Sequence, residues 1–170
     1  GNNGTFTVNH SGGLNIATGA NLVLDGAFTE SGTGNVNIAS NITTTNDNIT
    51  LNNPVILTNN VALNTGAGNG NITFNKTVDG TAPSGQNLTL TAGTGNVSVN
   101  GAIGNNNALK DLTVNSTGTT AFSQTVKAQS LTTDAGGTTA INGNVTTTNA
   151  QTYGDAVTIA NNLILNGSSI

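Results

Sequence analysis

Seven carboxylates, one imidazole and one phenol are the groups of this chain that suggest acid–base or metal chemistry: Asp25, Glu30, Asp47, Asp79, Asp111, Asp134, Asp155, His10 and Tyr153. Paired carboxylates at a suitable separation hydrolyse glycosidic bonds, one acting as acid and the other as base or nucleophile. Here the acids are scattered along 170 residues, and no Arg stands near them to bind a charged sugar. A lone His does not make a His-based metal site, and without Cys there is neither a thiolate ligand nor a disulfide. Calcium-binding glycine-rich repeats need Asp after their turns, and the Gly turns at 92–95 and 135–138 carry none. The expectation is therefore no catalytic residue, no metal and no cofactor.

What would position any of these groups is a repeated phrase: two apolar residues at alternate positions, then a third four places on. It occurs seven times: Leu22, Leu24, Phe28; Ile49, Leu51, Val55; Ile72, Phe74, Val78; Val97, Val99, Ile103; Thr120, Phe122, Val126; Thr139, Ile141, Val145; Val157, Ile159, Leu163. Alternation over so few residues, rich in Val, Ile, Thr and Phe and bounded by Gly and Asn, marks half-buried strands. The fixed interval reads as a packed corner, and the variable spacing between phrases as loops. A second apolar pair precedes most copies: Leu14 and Ile16, Val36 and Ile38, Val61 and Leu63, Leu88 and Leu90, Leu112 and Val114, Leu131 and Thr133. We call the sides A (this pair), B (the alternating pair of the phrase) and C (beginning at the corner residue).

Aligned on the phrase, residues fall into columns. Leu24, Leu51, Phe74, Val99, Phe122, Ile141 and Ile159 are expected to form one buried column. Phe28, Val55, Val78, Ile103, Val126, Val145 and Leu163 are expected to form the corner column. Asn21, Asn48, Asn71 and Asn96 precede side B, and Asn52, Asn75 and Asn100 follow it. In parallel strands about 4.8 Å apart, like amides at one position bond up and down a ladder. A sandwich has no reason to repeat one corner seven times. The prediction is an all-β, right-handed parallel β-helix over residues 1–170, about seven three-strand rungs of 18–27 residues, without α-helix. Seven rungs make a rod of roughly 34 Å.

Composition agrees with this. Charged residues are 6% and aromatics 3%, and 31 Asn and 31 Thr occupy the polar positions instead. Such polarity with little charge is compatible with disorder, but the periodic Val, Ile and Leu oppose it. Three Lys against a net charge of -4 leave no basic stripe for phosphates, which excludes nucleic acid as a partner. No apolar run is long enough to span a membrane.

The segment Asn-Leu-Thr-Leu-Thr-Ala-Gly-Thr-Gly-Asn-Val-Ser-Val-Asn-Gly-Ala-Ile-Gly (87–104) resembles the repeats of filamentous-haemagglutinin-like and other large bacterial surface adhesins. The resemblance covers Leu14 to Leu165 and rests on repeat style, not on a signature motif; the family's amino-terminal secretion domain is not visible. It implies a parallel β-helix secreted to the bacterial surface. Frequent Asn-x-Ser/Thr triplets, as at Asn48, Asn71 and Asn96, follow from strand composition, although some adhesins it resembles are glycosylated at such triplets. Thr43–Thr45 and Thr146–Thr148 do not repeat in successive turns, as a flat ice-binding array requires.

Two roles follow as expectations. One is a structural stalk or fibre segment, continuing into neighbouring repeats of its parent chain or stacking end to end on copies of itself. The other is a recognition module binding a glycan, a protein or a host or cell-surface receptor. Strong binding faces carry aromatic or Arg anchors. One Tyr, no Trp and no Arg favour the stalk.

Overall fold

The computed structural model describes residues 4–160 and 162–170. The chain coils as a parallel β-helix with three sides per turn, and there is no helix among the described residues. Side B is an eight-stranded parallel sheet: Phe6–His10, Phe28–Gly32, Ile49–Leu51, Ile72–Phe74, Val97–Val99, Thr119–Phe122, Thr138–Ile141 and Ala156–Ile159. Eight B strands make about eight turns, one more than the phrase counts.

Side C runs through Leu14–Ile16, Val36–Ile38, Val55–Leu57 and Val78–Gly80. It continues through single bridges at Ile103 to Val126, then Val145 and Leu165. Side A starts at Leu22–Leu24 and Ile42–Thr44 and passes through Val61–Asn64 and Leu88–Gly93 to Leu109–Ser116. In Val126–Thr133 one eight-residue strand covers both sides, pairing with Val145 at its start and with Gln151–Tyr153 at its end.

Alternation is what buries the core. Along side B the strands Ile49–Leu51, Ile72–Phe74 and Val97–Val99 bury both ends and half-expose the middle residue. Parallel pairing in register then sets like residues over one another, so Ile72 faces Ile49 and Val97, and Phe74 faces Leu51 and Val99. Phe28, Phe74 and Phe122 are the largest fully buried side chains. Burying one such side chain contributes roughly 1.5–3 kcal/mol. This narrow aliphatic column is what holds the rod together.

The corner between sides A and B carries a glycine column: Gly70, Gly95, Gly118 and Gly137. A Cβ on Gly95 would strike the Gly70 carbonyl, one on Gly118 the Gly95 carbonyl, and one on Gly137 the Gly118 carbonyl. Close backbone approach, and not turn flexibility, demands glycine there.

The register corrects the phrase at its two ends. Leu22–Leu24 belongs to side A, where Leu22 pairs with Ile42 and Leu24 with Thr44, so Leu24 is not in the Leu51 column. Its place is taken by Glu30, opposite Leu51 on one side and Val8 on the other. Phe28 likewise heads a B strand opposite Ile49 and is no corner residue. The cause is geometric: the chain rounds the A–B corner after Leu24 in the same four residues that it uses for the B–C corner after Leu51. Leu14–Ile16 and Val36–Ile38 therefore lie on side C, not A. At the other end Leu165, not Leu163, pairs with Val145, because the connection gains residues around Asn162, which has positive φ. Ile159 keeps its predicted register opposite Ile141, but it is 53% exposed because no described rung covers it.

Candidate functional site

Three features of the coil have the chemistry of a site: the polar ladders between turns, the carboxylates at the corners and the open end rungs. The ladder before side B is continuous. The amide oxygen of Asn48 accepts from the Asn71 N–H (2.8 Å), that of Asn71 from Asn96 (2.7 Å) and that of Asn96 from Thr119 (2.8 Å). These bonds run from backbone to side chain, which differs from the expected amide-to-amide contact. After side B the amides do bond one another: Asn75 Nδ2 donates to Asn52 Oδ1 (2.6 Å) and Asn100 Nδ2 to Asn75 Oδ1 (2.8 Å).

Asn21 belongs elsewhere. It stands at the start of side A and accepts from the Asn41 N–H, while Asn41 accepts from the Ala62 N–H (2.8 Å). This second ladder lies on side A because Leu22–Leu24, the first copy of the phrase, is a side-A strand.

Several carboxylates act as hydrogen-bond acceptors between turns. Each reaches an adjacent turn and accepts its backbone N–H groups. Asp79 accepts from the N–H groups of Asn106 (2.8 Å) and Asn107 (3.4 Å), Asp134 from Ser116 and Asp155 from Gly137. Asp155 also accepts from the Thr139 hydroxyl (2.9 Å), and Asp111 from that of Ser130 (2.6 Å). Chemically, such an acid replaces the missing strand partner at a loop. A signal for this was present: Asn-Asn pairs follow Glu30 and Asp79 about one turn later, at Asn52-Asn53 and Asn106-Asn107.

Glu30 is the extreme case. It is fully buried in a column that elsewhere holds Leu51, Phe74 and Val99, and four donors surround it. Oε2 accepts from the Asn52 N–H (2.9 Å) and the Asn53 N–H (3.1 Å); Oε1 accepts from Asn53 Nδ2 (2.7 Å) and lies 2.7 Å from His10 Nε2. Burial pushes its carboxyl up, but the Asn53 amide, His10 and the two N–H groups outweigh it and hold it below the ordinary value of 4.5. The Gly12 carbonyl first, and then Glu30 against the effect of burial, raise His10 above 6.5. His10 closes strand Phe6–His10, and its side chain is 11% exposed.

Tyr153 lies on the last turn of side A, opposite Thr133, and donates to Gln151 Oε1 (2.9 Å). Burial pushes its phenol up to about 12. Among the described residues no three His, Cys, Asp or Glu side chains are placed to hold a metal ion, and no helix is long and apolar enough to cross a membrane.

At the first rung an apolar cavity of about 200 Å³ is lined by Phe6, Val8, Leu14, Ile16, Leu22 and Phe28. Phe6 stacks on Phe28 with ring centroids 6.0 Å apart, yet Phe6 is 46% exposed. At the other end strand Ala156–Ile159 is exposed along its whole length. A separate groove of about 530 Å³ follows the A–B corner past Asn64, Ala67, Thr91, Asn115, Thr117 and Asp134. Comparison of the chain with protein-family models, with curated proteins and with solved structures finds no match.

Proposed function

We propose that this chain is a structural stalk or fibre segment of a bacterial extracellular or cell-surface filament, with a mechanical and not an enzymatic role. One observation carries the proposal. The side-B sheet runs through every described turn to both end rungs, which among the described residues present Phe6 at one end and Val157 and Ile159 at the other on open, partly exposed edges. Such an edge is a template for a further parallel strand. The occupant is another rung, from the continuing parent chain or from a second copy. The ladders suit this role, since every added turn brings the donors and acceptors that the previous turn lacks. The surface location rests on the adhesin-like style of the repeats.

Electron microscopy of the purified chain tests the proposal. Eight turns make a rod of roughly 38 Å. Filaments many times that length, or long fibres of a parent protein that thin at this segment, are the expected result. Monomeric particles with both end strands protected from hydrogen exchange would overturn it.

A recognition module is favoured by the groove at the A–B corner alone. Its Asn, Thr and Asp side chains would hydrogen-bond a glycan, and saturable glycan binding lost in Asn115→Ala would favour that role over the stalk.

A further inference from the structure

His10 and Glu30 join the first two turns by a contact unlike any ladder along the rod. Glu30 Oε1 lies at one ring nitrogen of His10, and the Gly12 carbonyl oxygen lies at the other. Both neighbours are acceptors. A neutral imidazole offers one N–H and one lone pair, so it satisfies only one of them; the imidazolium donates to both. Glu30 is already the acceptor for Asn52 and Asn53, so the shared proton belongs on the ring.

We propose that His10 is a proton-operated clamp: charged, it pins the edge strand Phe6–His10 onto the second turn, and on losing its proton it releases that strand. The groups facing the ring are Glu30 from strand Phe28–Gly32, the Gly12 carbonyl of its own turn and the Thr33 backbone; Glu30 is the charged group that acts on it. The Asn53 amide stands behind Glu30.

The window follows from the two directions of shift. His10 is raised above 6.5, so its stabilisation is whole below that value and is lost as pH rises through the raised one. Glu30 is lowered below 4.5, so its contribution is whole above that value and is lost as pH falls through the lowered one. The clamp is therefore whole in mildly acidic solution, between 4.5 and 6.5, and weakens above. Any control over rung addition rests on the stalk proposal; the clamp itself does not.

Nuclear magnetic resonance on the whole chain tests it. The His10 ring titration gives its midpoint, and amide exchange corrected for intrinsic rates gives the opening of the first turn. The reporters are Phe6 N–H, bonded to Ala27 O, and Thr33 N–H, bonded to His10 O; Asn75 N–H is the interior control. A midpoint above 6.5 is expected, with protection of Phe6 and Thr33 falling tenfold for each pH unit between 6.5 and that midpoint while Asn75 is unchanged. In His10→Gln the pH dependence disappears. A midpoint at or below the ordinary value, or the same pH-dependent loss in His10→Gln, overturns the clamp whether or not the chain forms fibres.

Discussion

The interior turns and the first two turns close the same coil by different chemistry. On side B from Ile49 to Phe122 the inward columns are apolar apart from Thr120, and neutral amides such as Asn75 and Asn96 tie one turn to the next. Between the first two turns the inward position is an ionised Glu30, held by two backbone N–H groups, one amide and His10. An amide ladder repeats because each Asn both donates and accepts. A carboxylate only accepts, so the ionic contact ends a run and does not propagate one. The contrast teaches that this rod is uniform where it must stack and specialised near an edge.

The largest effect expected to separate the regions comes from the core. Phe74→Ala in the middle should cost about 3–5 kcal/mol in urea unfolding, whereas Ile159→Ala on the last rung should stay within about 0.5 kcal/mol. Similar costs at the two sites would mean that the last rung is covered in solution. Next is the glycine column. Gly95→Ala should destabilise by about 1–3 kcal/mol because its new methyl meets the Gly70 carbonyl, and Gly12→Ala, with open space around it, should change the midpoint little.

The ladders come third. Asn75→Ala removes one donor and one acceptor on an exposed face and should cost about 1 kcal/mol, with Asn52 and Asn100 losing exchange protection nearby. The smallest effect is that of pH. Raising it through the His10 midpoint should loosen strand Phe6–His10 alone, and the urea midpoint of the interior should not move with it. An interior that responded equally would erase the comparison.

Much of the fold was legible because a parallel coil obeys local rules. Alternation assigned Ile72–Phe74 and Val97–Val99 to strands, and the recurrence of Asn48, Asn71 and Asn96 at one position foretold stacking in register. The illegible part lay where a column changes character. Phe28-Thr29-Glu30 does not read as an apolar pair, so spacing alone points to Leu22–Leu24 as the strand of side B in its place. Burial of an acid becomes visible only with its donors, and those sit about one turn away at Asn52 and Asn53.

By itself the sequence determined the period, the apolar faces, the polar columns and hence a parallel coil, since these depend on spacing within one turn. Only the tertiary structure decided which corner each four-residue interval turns, that Glu30 and His10 meet, and that the acids serve as acceptors between turns. The physical reason is that all three corners of a rung use similar spacing. A residue's partner is chosen by the turn above or below it, and that offset drifts with loop length, from 23 residues between Asn48 and Asn71 to 18 between Gly137 and Asp155.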